Sequence, residues 1–169
     1  SFPCGFGATI NAGKAKIDGG EVELDVLLTD DLSLTMGVGY NDSEIVDNGG
    51  FDDTLPVGSS IQNVPQWTFN GALDWHFHVS ELPMFAYLSY SYVGDSEGRG
   101  QYGVDTQREA YNLVNFRLGT EFDDYTIALF VENLTDESAD FGNKPPLALD
   151  TPGLKRTSVN YPRTIWLDF

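Results

Sequence analysis

The chain is 169 residues long, 41% apolar and 13% aromatic, and carries 26 acidic against 9 basic side chains for a formal net charge of −17. That excess of negative charge repels phosphate backbones and excludes a nucleic-acid binder, while the apolar and aromatic content is too high for an acidic disordered chain. No run approaches the roughly 18 apolar residues of a membrane-spanning helix and no basic-then-apolar signal peptide opens the sequence, so a membrane role is open only to β-strands.

Ser1 to Gly13 is small and patternless, a loop that begins without Met and reads as the start of a fragment or a processed chain. Cys4, the single cysteine, has no internal disulfide partner and reads as an inert thiol. From Lys14 a pattern switches on, with Glu21, Glu23 and Asp25 alternating with Val22, Leu24, Val26 and Leu28. Acids on one side and an unbroken apolar row on the other describe a strand wet on one face. Thr29-Asp30-Asp31 makes a turn, and Leu32, Leu34, Met36, Val38 and Tyr40 then alternate with Ser33, Thr35, Gly37 and Gly39 to complete a hairpin. Asn41 to Val64 is acidic and broken by Asn48-Gly49-Gly50, a loop by composition. Its acids lack the spacing of a calcium-binding loop and read as solvated.

Trp67, Phe69, Leu73, Trp75 and Phe77 alternate with Thr68, Asn70, Ala72, Asp74 and His76 in the next strand. Asp74, His76 and His78 share a face at a spacing from which ligands could hold a metal, yet no further strong ligand accompanies them, and we read a wet polar face. A turn at 79–82 leads into a strand with Ala86, Leu88, Tyr90 and Tyr92 opposite Phe85, Tyr87, Ser89 and Ser91. After a loop over 94–110, Val114, Phe116, Leu118 and Thr120 oppose Asn115, Arg117, Gly119 and Glu121. A turn at 122–124 passes the apolar face on to Ile127, Leu129 and Val131, against Ala128, Phe130 and Glu132. The loop 134–160 carries Pro145-Pro146, Pro152 and Gly153 and delivers a closing strand, Tyr161 to Phe169, whose Tyr161, Ile165, Leu167 and Phe169 share one side.

Seven strands of about 8–14 residues, with short turns strictly alternating with long loops, describe an all-β, antiparallel, up-and-down transmembrane β-barrel, short turns on the periplasmic side. Seven is odd while single-chain bacterial barrels are even, so the reading expects further strands before Ser1 and a wide, water-facing lumen.

Several pieces in this order resemble one family: Asn133-Leu134-Thr135-Asp136 after Ile127–Val131, Tyr111 to Gly119 before it, Asn63-Val64-Pro65-Gln66-Trp67, Asn11 to Ala15 with Gly20 to Leu24, and Pro162-Arg163 ending in Phe169. Together they resemble the C-terminal barrel of TonB-dependent outer-membrane receptors, about 22 strands around a plug. The resemblance implies residence among outer-membrane lipid and lipopolysaccharide, and energised uptake of a scarce ligand such as a ferric siderophore, cobalamin or an oligosaccharide. The implied partners are the plug, the remaining strands, TonB acting through the plug, and the barrel-assembly machinery, which would read Tyr161, Ile165, Leu167 and Phe169. Neither plug nor TonB box lies within these residues. The family's tyrosine shortly after the Asn-Leu-x-Asp run is replaced here by Ser138 and Ala139, and the next aromatic is Phe141.

No nucleophile–base pairing, phosphate loop or Cys/His cluster is visible, so neither enzyme, cofactor nor metal is expected. The ligand-contact candidates at the long-loop ends are Trp67, Tyr92, Arg99 and Tyr102, and the lumen-facing set is Glu21, Glu23, Asp74, His76, Arg117 and Glu132. Two other readings use the same alternation: a soluble acidic β-sandwich that binds sugar, and a small porin-like barrel.

Overall fold

Alternation sends successive side chains to opposite sides of an extended backbone, whose N–H and C=O groups must then find partners on neighbouring strands. The computed structural model describes residues 13–50, 56–99, 105–122, 125–144 and 156–169. Among these residues the strands are β1 (Lys14–Thr29), β2 (Leu32–Asp47), β3 (Trp67–Val79), β4 (Leu82–Val93), β5 (Ser96–Arg99), β6 (Asp105–Arg108), β7 (Tyr111–Phe122), β8 (Tyr125–Glu132), β9 (Asp140–Lys144), β10 (Arg156–Val159) and β11 (Thr164–Asp168). Seven of them form one antiparallel sheet in the order β1-β2-β3-β4-β7-β8-β11, while β5 with β6 and β9 with β10 make two-stranded ribbons.

The meander is the expected one, with three corrections. The long connections at 94–110 and 134–160 are not irregular throughout, since each rises into a ribbon. Strand β2 runs on to Asp47, because solvated acids do not stop the backbone from pairing: Asn41 sits opposite Gly19, Asp42 opposite Asp18 and Glu44 opposite Lys16. The last strand is shorter than expected, as Pro162 has no N–H to give a ladder and the Arg163 N–H is taken by Asp136 Oδ1 at 2.9 Å.

Register carries one side of β1 across the whole sheet. Leu24 lies opposite Met36, Leu34 opposite Leu73, Leu73 opposite Leu88, Leu88 opposite Phe116, Leu118 opposite Leu129, and Leu129 opposite Leu167. No second layer covers this apolar face among the described residues, and Leu24, Ile127 and Leu167 stay 46%, 51% and 66% exposed. A sandwich would have buried them. The other face carries Glu21, Glu23, Asp74, His76, Arg117 and Glu132. Turns join the strands at Asp30-Asp31 and Ser80-Glu81, Ser80 adopting φ 58° as tight reversals demand.

Aromatic rings bound the apolar face at both ends. Tyr40 packs on Trp67 with centroids 4.7 Å apart near the long connections, and Trp75 stacks on Phe77 at 4.4 Å near the short turns, where Phe122 lies opposite Tyr125. From Trp67 to Phe77 is about 33 Å along a strand at ~3.3 Å per residue, or about 25 Å of height at a tilt near 40°, the apolar band of an outer-membrane barrel. Beyond Tyr40 the same side turns charged, with Asp42, Glu44, Asp18 and Lys16. The Lys16 ammonium is held above its ordinary range by its hydrogen bond to Asp18 and by that carboxylate's charge.

An arginine on this face at mid-bilayer should cost about 2–4 kcal/mol. Leu118→Arg and Leu129→Arg are expected to lose that much in urea titrations of the barrel folded in lipid vesicles, while Asp74→Asn on the opposite face changes stability by no more than about 0.5 kcal/mol. Equal losses on the two faces would mean that both meet the same surroundings.

Candidate functional site

On the polar face, β4, β7, β8 and β11 bring Phe85, Tyr87, Arg117, Phe130 and Trp166 together. Tyr87 is in register with Arg117, Arg117 with Phe130, and Phe130 with Trp166. The Arg117 guanidinium carbon lies 4.7 Å from the Phe85 ring centre and 4.7 Å from that of Phe130, so the cation is sandwiched between two rings. Phe130 in turn stacks on Trp166 at 5.3 Å with planes 6° apart.

Small residues clear the floor for these rings. Ala128 is 1% exposed beside Gly119, and a Cβ on Gly119 would run into the Phe85 ring and come within 2.8 Å of the Ile127 carbonyl. Phe85 is consequently only 8% exposed although it points away from the apolar face. Arg117 was expected here from its parity. The cage around it was not, since it requires the β4-β7-β8-β11 register to align residues far apart in sequence.

Across the sheet the same face is wetter. Asp74 Oδ1 and His76 Nε2 lie 3.3 Å apart and both are well exposed, and among the described residues no three Asp, Glu, His or Cys side chains gather as a metal site. Glu21 and Glu23 stand opposite Gly39 and Gly37. Glu132 stands opposite Thr164.

Of the four ligand-contact candidates, Trp67 and Tyr92 lie on the apolar side, Trp67 packed on Tyr40 and Tyr92 opposite Phe69. Arg99 ends β5 in register with Asp105, and Tyr102 lies outside the described residues. What holds the long connections together is Asn63, in the left-handed conformation at φ 60°. Its N–H donates to the Glu97 carbonyl of β5 at 2.7 Å, and its Oδ1 accepts from Arg108 Nη1 of β6 at 2.8 Å. A cavity of about 160 Å³ lies at the foot of this ribbon, bounded by Asn63, Pro65, Val93, Arg108 and Tyr111.

A second knot gives the Asn133–Asp136 run its meaning. Asn133 is 5% exposed with φ 51°, and its amide donates to the Glu137 and Tyr161 carbonyls at 2.8 and 3.1 Å while accepting from the Glu137 N–H at 2.9 Å. Its own N–H reaches Asn115 Oδ1 at 3.0 Å, and the Leu134 N–H reaches the Val114 carbonyl at 2.7 Å. The end of β8 is thereby tied to β7 and to the approach to β11. Phe141, the late aromatic, meets Tyr111 edge-on at 5.6 Å. Of the expected assembly signal, Ile165 and Leu167 continue the apolar face, Phe169 follows β11 fully exposed, and Tyr161 stands outside the strand with its carbonyl in the knot.

A family model described as TonB dependent receptor-like, beta-barrel matches residues 1–134. The chain belongs to this receptor β-barrel family. Among solved structures it is similar to the ferric yersiniabactin uptake receptor FyuA from Yersinia pestis, with TM-score 0.77 and 20% identity over 93% of this chain and 23% of that one. It is also similar to the siderophore receptor PiuA from Acinetobacter baumannii (TM-score 0.67, 20% identity, 92% of this chain and 21% of that one). A third similar structure is the ferripyoverdine receptor of the Pseudomonas aeruginosa outer membrane (TM-score 0.64, 15% identity, 90% and 19%). The chain therefore spans about a quarter or less of the receptors it matches, and no curated protein matches it. It is part of a bacterial outer-membrane receptor β-barrel.

Removing the Asn133 amide leaves the Glu137 N–H and the Tyr161 carbonyl without their partner. Asn133→Ala is expected to cost about 1–3 kcal/mol in urea unfolding followed by heat-modifiable gel mobility. Gly119→Val, which drives a side chain into Phe85 and the Ile127 carbonyl, should cost about as much through overpacking. A neutral Gly119→Val would show that the ring cage is not closely packed.

Proposed function

We propose that this chain is wall and outer rim of a TonB-dependent transporter that takes up a scarce, bulky ligand, with a ferric siderophore as the leading class and cobalamin or an oligosaccharide as alternatives within the same machinery. The observation that carries the proposal is the family match, together with a single-layered seven-stranded sheet whose uncovered apolar side is bounded by aromatic rings at both ends. Siderophore leads because the receptors named above are siderophore receptors. In this reading a plug supplied by the same receptor fills the lumen, TonB acts on the plug, and the wall performs no catalysis. The single-layered sheet speaks against a sandwich, and the similarity to a strand segment of much longer receptors speaks against a small porin-like barrel.

Ligand contact is assigned to the long-connection side, to Arg99 and Tyr102 around the β5–β6 ribbon that Asn63 pins. Cells whose only iron receptor carries this chain should accumulate radioactive iron from one siderophore class and should stop doing so without TonB. Uptake that is equal in cells lacking TonB would overturn the reading. Arg99→Ala or Tyr102→Ala should weaken ligand binding by about tenfold, the loss expected of one contact of ~1.4 kcal/mol. Trp67→Ala, on the lipid side, should leave binding unchanged.

A further inference from the structure

We infer that Arg117, clamped between Phe85 and Phe130, is the wall's seat for a carboxylate presented by the polypeptide that fills the lumen. The inference rests on the receptor reading above and names a contact which that reading does not assign.

The argument begins with the state of the guanidinium. Two ring centres 4.7 Å away flank it, the residue is half-buried, and its edges remain for polar partners. Along one edge, Arg117 Nε is buried and meets no acceptor. Among the described residues no acceptor meets the terminal nitrogens either, and no carboxylate lies within ion-pair distance. A buried donor left without an acceptor costs free energy, which an anionic or carbonyl partner brought to the guanidinium would offset. The chain has 26 acids against 9 bases, yet among the described residues none lies within ion-pair distance of Arg117. We place the partner beyond the described residues.

Shape selects the partner's chemistry. A guanidinium held in a slot between rings keeps its plane fixed, and its free end presents the two Nη groups side by side. That is the geometry a carboxylate accepts with both oxygens, whereas a single carbonyl would satisfy one donor and leave the charge. Phe85 is buried beside it, while Phe130 stacked on Trp166, itself 37% exposed, leaves an apolar surface on which packed protein can rest. Persistence selects the source. A solute in transit would leave the cation unpaired for most of the time, while a resident segment keeps it paired. Since the chain spans 23% or less of the receptors it matches, the greater part of such a receptor is available to supply that segment.

The test uses the whole receptor purified in detergent, placed in planar bilayers, and read by ion conductance, which needs neither a ligand nor TonB. Arg117→Glu should open the lumen about tenfold more often or longer than wild type, the population shift expected when a charge-assisted hydrogen bond is lost. Arg117→Lys, which keeps the charge but not the flat fork, should fall between the two. Ser89→Glu adds the same charge on the same face and should behave as wild type, and heat-modifiable mobility reports that each variant is folded. Selection for closed revertants of Arg117→Glu should then yield an Asp or Glu changed to Lys or Arg outside residues 1–169. An Arg117→Glu receptor that conducts like wild type overturns the inference, as does one that opens but is never closed by such a charge reversal. If Arg117→Gln leaves conductance unchanged and abolishes only the binding of a carboxylate-bearing ligand, the seat serves the solute and the inference also falls. A wild-type receptor that is already freely conducting would instead sink the receptor reading itself.

Discussion

In hydrocarbon there is no water to satisfy a peptide group, so a chain that crosses it in extended form must pair every N–H and C=O with another strand. From β2 to β8 each strand of the main sheet is paired on both sides, and β1 and β11 carry its two edges. Once the pairing is set, the facing of every side chain follows, because a slip of one residue in β7 or β8 would send Leu118 or Leu129 to the polar face and Arg117 or Phe130 to the apolar one. The irregularities in β1 fall between Lys14 and Ala15 and between Leu27 and Thr29, outside the run from Glu21 to Val26 where facing matters most. Stability therefore does not come from a central core. Few apolar residues are buried, and the sheet depends on its ladders and on the medium that meets each face.

The two ends of the wall meet different demands. Short turns need only reverse the chain, which two residues accomplish. The long connections must be ordered beyond the membrane without a second sheet layer to pack on. Pairing between loop segments supplies part of that order, in the β5–β6 and β9–β10 ribbons. Asparagines supply the rest. Asn63 and Asn133 both adopt left-handed backbone conformations that this residue tolerates, and both use the side-chain amide as a substitute peptide group. A long hydrogen bond from Asn115 Nδ2 to Ser89 Oγ at 3.4 Å links β4 to β7, and Asn115 Oδ1 links onward to Asn133. A polar relay thus crosses the polar face from β4 to the approach to β11.

What could be read from the sequence is what alternation encodes. The seven strands, the two faces of each, the order of turns and loops and the place of Arg117 on the polar face all follow from a period of two, since each depends only on residues near one another in the chain. The acidic run after Tyr40 misled, because its composition describes solvation while the pairing of Asn41–Asp47 with β1 is settled by the hairpin already begun below it. Trp67 and Tyr92 stand at loop ends, where ligand contacts gather, while their parity with Phe69 and Tyr90 puts them on the apolar face. The Arg117 cage stayed invisible for a different reason. Phe85, Arg117, Phe130 and Trp166 come from strands whose spacing in sequence is set by long connections, so their alignment exists only after register is known.

Parity names the medium a side chain faces, but neighbours decide whether it is wet. On the polar face, the β1–β3 part carries acids beside glycines, whereas the β4–β11 part carries Phe85, which is buried, with Phe130 and a still exposed Trp166. A run of rings on that side resembles a second lipid face. It is distinguished by what is interleaved with it: Ser89 and Asn115 above, Glu132 and Asp168 at the flanks, and Arg117 at its centre, a charge that lipid would expel. The rings flank the cation without neutralising it, and its Nε is left buried with no acceptor among the described residues.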